Sequence, residues 1–270
     1  MMIMKDLIDV QRALADWSRS GVRWLINWWQ IIHLGAVILV LAVSPSSYRR
    51  DRWPALARHL YLATAPLLLG FTLLSALLGL VLIRIVVVTA MSYGLSQYAV
   101  EMVVRVLVLE LIPLGAALFV ALRITLPQGA ELRRLRLSGE FDNMAAQGRD
   151  VLHEMVLPRA LAGMFSVFML AVLSCVVSVV LAYINIYGFN PWGLPTYTRM
   201  VGQVFNPVVT LIFVFKTFFF ALTVALIPLA SSLYEAPTPS RVATAELQAL
   251  VRMFLSLLMI QLVSLMGNYY

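Results

Sequence analysis

ALAGMFSVFMLAVLSCVVSVVLAYI, residues 160–184, runs for 25 positions without a charged side chain. A bilayer core about 30 Å thick is crossed by roughly 20 helical residues, and lipid offers no partner for a backbone group left outside a helix. This stretch is long enough to cross once. Its continuation, INIYGFNPWGLPTYT from Ile184, is rich in Asn, Gly, Pro and aromatics, so the helix should leave the membrane near Ile184. Working outward, the runs at 60–83, 200–234 and 253–270 are similarly apolar, and a further run at 102–125 is apolar except for Arg105, Glu110 and Arg123. The whole chain of 270 residues is 61% hydrophobic and 12% charged, with a mean hydropathy of +0.89. These values exclude an ordinary water-soluble domain. The expected fold is therefore all-α: a polytopic integral membrane protein with about five transmembrane helices.

The net charge of +7 comes almost wholly from arginine. In so apolar a chain that excess marks loops held on the cytoplasmic side, and nucleic acid is not an expected partner. The segment Trp24–Tyr48 also passes as a span by hydropathy, yet Lys5, Arg12, Arg19 and Arg23 precede it and Arg49, Arg50, Arg52 and Arg58 follow it. Positive charge on both flanks opposes a crossing and favours an N-terminal interfacial amphipathic helix. Trp24, Trp28 and Trp29 would sit at the headgroup boundary, with Arg49, Arg50 and Arg52 on anionic lipid. A sixth span is the alternative. With the helix in the interface, the segments before residue 60, at 131–159 and at 235–252 hold fifteen of the twenty Lys and Arg residues. That distribution puts the N-terminus in the cytoplasm and the C-terminus outside. The opening MMIMKDLIDV carries Lys5, Asp6 and Asp9 before any apolar run, so no cleaved signal peptide is expected.

The informative polar stretch is ELRRLRLSGEFDNMAAQGRDVLHEM, residues 131–155. Ser138 reads as a helix N-cap, Glu140 as a first-turn acid and Gly148 as a stop, which predicts a short helix projecting from the membrane. No G-x-x-x-x-G-K-[ST] phosphate loop occurs, so any ATP and Mg²⁺ would be bound by a partner chain, and this chain binds no cofactor of its own. His33, His59 and His153 stand in no metal-ligand spacing, Cys175 is alone inside an apolar run, and G-x-S-x-G is missing. No catalytic or metal residues are assigned.

Three stretches resemble the MlaE/YrbE-type permeases of bacterial lipid-trafficking ABC transporters, which work with MCE-class proteins. LELIPLGAALFVALRITLPQGAEL (109–132) is similar to the family's acidic segment through Glu110, Pro113, Arg123, Ala130 and Glu131. DNMAAQGRDVLHEMVLPR (142–159) resembles its coupling-helix region through Met144, Asp150, Leu152, Pro158 and Arg159. FVFKTFFFAL places Lys216 where the family has a lysine in a late span. Ile112 departs from the family's usual glycine, and Leu122, Thr125 and Pro127 replace small residues around Arg123. The resemblance implies a cytoplasmic and interfacial region over 1–58 and a permease domain over 59–270 in the bacterial inner membrane, with the C-terminus in the periplasm. A loop at 131–155 would meet an ATPase subunit through Glu131, Ser138, Glu140, Asp142, Met144, Asp150 and Arg159. It implies as partners that ATPase, a periplasmic MCE assembly, a second permease copy and phospholipid cargo. A scaffold without transport, or a lipid-modifying enzyme with Glu110 or His153 as base, is the alternative.

An ionisable group deep in a span costs several kcal/mol unless paired or hydrated. Glu110 and Lys216 fall at similar depth, so they are expected to face each other or one polar cavity; Pro113 and Arg123 are the further candidates for a substrate cavity, and Arg123, nearer the cytoplasmic end, can instead snorkel to phosphates.

Overall fold

The computed structural model describes residues 26–44, 53–95, 98–234 and 242–269. Among them there is no strand, and six helices are long and apolar enough to cross a membrane. We number the helices along the chain: α1 (Ile26–Val43), α2 (Trp53–Ser92), α3 (Ala99–Leu137), α4 (Glu140–Ala146), α5 (Leu152–Tyr187), α6 (Leu194–Val204), α7 (Pro207–Tyr234) and α8 (Val242–Tyr269). The five expected spans are α2, α3, α5, α7 and α8. The sixth candidate by length and composition is α1, the segment whose charged flanks favour the interface. Trp28 and Trp29 belong to it, with Trp29 exposed; Trp24, Arg49, Arg50 and Arg52 lie outside the described residues.

Helix α2 has 40 residues, about 60 Å at 1.5 Å per residue, so it must tilt or stand beyond a hydrocarbon core of about 30 Å. It packs along α5, where Thr64 and Ser166 share a hydrogen bond of 2.7 Å between their hydroxyls. The centre of the bundle is α3. Its apolar stretch is 61% buried inside the protein, against at most 39% for the other five. Ala116, Ala117, Val120 and Ala121 on α3 meet Leu170 and Ala171 on α5 and Phe220, Ala221 and Val224 on α7 in the main core. Small residues at these crossings let the helices approach closely, which is how helices associate when lipid removes the hydrophobic drive between them.

Three wide, π-helical stretches interrupt the spans: 104–111 and 121–125 within α3, and 152–156 at the start of α5. Each is followed within two residues by proline, at Pro113, Pro127 and Pro158. Proline cannot donate to the carbonyl four residues back, and its ring crowds that carbonyl; widening the preceding turn relieves the clash.

α5 ends at Tyr187, three residues past the expected exit. Beyond it, Tyr183, Tyr187 and Tyr197 pack ring against ring, and the Tyr197 hydroxyl donates to the Val179 carbonyl at 2.7 Å. Burial, and then the neighbouring Tyr187, push the Tyr197 phenol up to about 12, so it stays a neutral donor. Asn206 starts α7, its Oδ1 accepting the Val209 N–H at 2.8 Å beside Pro207 in the first turn.

Candidate functional site: a buried carboxylate tying three helices

Glu110 lies at the end of the first π-helical stretch, three residues before Pro113, and is 7% exposed. Lys216 lies on α7 and is 3% exposed. Their charged groups form an ion pair inside the bundle. The local backbone explains part of the arrangement. Pro113 has no N–H to give the Leu109 carbonyl, and Lys216 Nζ donates to that carbonyl at 3.2 Å. The ammonium also stands 5.7 Å from the centre of the Phe220 ring.

Helix α8 completes the constellation. Gln261 Nε2 donates to Glu110 Oε2 at 2.5 Å, and Asn268 Nδ2 donates to Glu110 Oε1 at 3.2 Å. Both carboxylate oxygens are thereby engaged, one by α7 and α8 and the other by α8 alone. One acid ties α3, α7 and α8 at a single point. A buried ion pair stabilises only when its remaining lone pairs are satisfied, and here the two amides do that. Because each amide spends its N–H groups on the carboxylate, its oxygen points elsewhere. Gln261 Oε1, Asn268 Oδ1 and the Ser264 hydroxyl are buried and have no hydrogen-bond partner among the described residues. Sequence reasoning missed these three. The signal was present: Gln261, Ser264 and Asn268 fall at i, i+3 and i+7, one face of an otherwise apolar helix.

Other candidates lie apart from this centre. Arg123 sits in the second π-helical stretch with its side chain exposed. Arg105 pairs with Glu101 at 2.9 Å along one face of α3. The polar stretch 131–155 is not a single projecting element. Its first part continues α3 to Leu137, its last part begins α5, and only Glu140–Ala146 forms the separate helix α4. Ser138 is not the N-cap of that helix. It closes α3, its hydroxyl donating back to the Leu135 carbonyl, and Gly139 takes the N-cap position at φ 78°, a left-handed conformation that favours glycine. Glu131 therefore belongs to α3 and Arg159 to α5, where the two pair at 3.5 Å. Asp150 caps the start of α5 by accepting the Leu152 N–H at 2.9 Å. On α4, Met144 is buried against the bundle, whereas Glu140 and Asp142 are exposed.

The stem beneath α4 is fastened to α7. Arg133 donates to the Ser231 hydroxyl at 3.2 Å and Arg136 to the Ser232 carbonyl at 3.3 Å. Neither contact was readable in the sequence, since its partners are almost a hundred residues apart.

Among the described residues, six helices long and apolar enough to cross a membrane, with a paired, hydrogen-bonded charge inside the bundle, define a multi-pass membrane protein. Residues 56–266 match the family described as Permease MlaE, and the chain belongs to that family. No curated protein matches it. The first 55 residues, which hold α1, fall outside the match.

Proposed function

We propose that this chain is the permease subunit of an ABC transporter that moves phospholipid or a related lipid between the bacterial inner membrane and a periplasmic MCE assembly. A separate ATPase binds ATP and Mg²⁺, and a second permease copy completes the translocation path. In this reading α1 lies in the cytoplasmic leaflet, the N-terminus is cytoplasmic and the C-terminus periplasmic. Family membership supports the permease role, and the observation that carries the coupling is the fastening of the α4 stem to α7 through Arg133 and Arg136. A push on α4 is handed to the Ser231–Ser232 end of α7. Lys216 lies fifteen residues away on the same helix, about 22 Å at 1.5 Å per residue. Movement of α7 would strain the bond between Lys216 and Glu110 and open the bundle between α3, α7 and α8.

The test is reconstitution in proteoliposomes with an ATPase subunit and an MCE protein from the same organism. Lipid-stimulated ATP hydrolysis that depends on this chain is expected, and Glu140→Arg together with Asp142→Arg should abolish the stimulation while the permease stays folded. ATP hydrolysis indifferent to the presence of this chain would remove the transporter reading.

A further inference from the structure

Proline at position 113 withholds a donor from two carbonyls. In the five-residue pattern of the π-helical stretch the N–H of residue 113 would serve Val108, and in the four-residue pattern of the α-helix that follows it would serve Leu109. Pro113 serves neither, and the Ile112 N–H is taken by the Leu107 carbonyl. A carbonyl left unmet inside the bundle is costly, since apolar side chains and lipid offer it nothing. Both are met by side chains from other helices. Lys216 on α7 donates from Nζ to Leu109 at 3.2 Å, and Cys175 on α5 donates from Sγ to Val108 at 3.5 Å.

Cys175 is the only cysteine of the chain. Its ordinary role would be that of a small apolar filler, and it does pack against two outer clusters, one holding Leu107 and Ile112 and the other Val108 and Leu109. The direction of its thiol sets it apart. Thr217 on α7 and Ser256 on α8 return their hydroxyls to carbonyls four residues back on their own helices. The Cys175 thiol instead crosses to a carbonyl 67 positions away, two residues before Glu110. A thiol is a weak donor, so it gains most from an acceptor that no backbone N–H claims.

We infer that Cys175 is a positioning residue for Glu110: its thiol and the Lys216 ammonium replace the backbone donors that Pro113 withholds, and together they fix the wide turn that carries the carboxylate. Helix α5 thereby joins α7 and α8 in placing the acid. The arrangement holds whatever the permease carries and whatever drives it.

Infrared spectra of the full-length protein in detergent test this. With one cysteine, the S–H stretch belongs to Cys175 alone and vanishes in Cys175→Ala. It should lie below the frequency of a simple thiol dissolved in alkane; a band at the alkane position would overturn the inference. The Glu110 carboxylate band, taken as the difference from Glu110→Gln, should shift in Cys175→Ala and stay in place in Ser178→Ala, further along the same helix. A Glu110 band unmoved by Cys175→Ala would leave the cysteine a packing residue only and overturn its positioning role. Thermal midpoints supply the coupling to the proline. Cys175→Ala should lower the midpoint by about 2–4 °C, the scale of one hydrogen bond in a chain of this size. The loss should be smaller in the Pro113→Ala background, where an amide is again available to the two carbonyls. Equal losses in both backgrounds would separate Cys175 from Pro113 and overturn the inference as well.

Discussion

Helices α2 and α3 are nearly equal in length and each carries a long apolar run, yet they are built on different terms. α2 holds Pro66 within an unbroken α-helix and leaves most of its side chains facing outward. α3 is broken twice into π-helical turns, is the most buried span, and carries the acid that ties the bundle. Lipid is a forgiving neighbour, because an apolar side chain of almost any shape suits it. A protein interior is not, so irregularity on α3 has to be matched atom by atom by α5, α7 and α8. The contrast predicts that equivalent changes in the two helices have unequal consequences.

The largest effect is expected at the ion pair. Lys216→Met leaves Glu110 buried with only amide partners and should cost about 3–5 kcal/mol, read as a fall in the thermal unfolding midpoint in detergent. Glu110→Gln combined with Lys216→Met should recover most of it; equal instability of the double variant would mean that the charges are not coupled.

Next come the close approaches. A Cβ on Gly129 of α3 would stand 3.0 Å from the Pro228 carbonyl oxygen of α7, whereas one on Gly79 of α2 would meet nothing nearer than 3.5 Å. Gly129→Ala should therefore destabilise by about 1–3 kcal/mol through overpacking, while Gly79→Ala is tolerated or mildly stabilising. Matching midpoints for the two would erase the distinction between the helices.

The prolines should respond with opposite signs. Pro66→Ala restores a backbone donor within a regular helix and should raise the midpoint. Pro113→Ala supplies an N–H that competes with Lys216 for the Leu109 carbonyl, for a net loss of about 1 kcal/mol. The smallest effect belongs to Arg84→Ala on the exposed face of α2, expected within about 0.5 kcal/mol. A loss comparable to that of Lys216→Met would place Arg84 in a contact beyond this chain.

The spans themselves were legible because length and hydropathy dominate a membrane fold. Glu110 and Lys216 could be singled out for the same reason: two opposite charges at one depth have few alternatives to meeting. Amides were harder to see. Gln261 and Asn268 carry no charge to mark them, and their spacing gains meaning only once a carboxylate is known to face that side of α8. Ser138 misled because a capping side chain can serve either the helix behind it or the one ahead, and Gly139 decided the matter through its backbone. For α1, hydropathy and flanking charge point in different directions. Length and apolarity qualify it to cross, while the arginines that oppose a crossing, Arg58 on α2 apart, lie outside the described residues.

The wide turns in α3 have a consequence for aim. A π-helical turn holds one residue more than the α-helix around it, and each added residue rotates the remainder of the helix by about 100°. Excising one residue from 121–125 would leave α3 apolar and helical but swing Arg133 and Arg136 about a quarter-circle away from Ser231 and Ser232. That surplus residue works as an adjusting screw between the membrane-embedded part of the helix and the stem beneath α4.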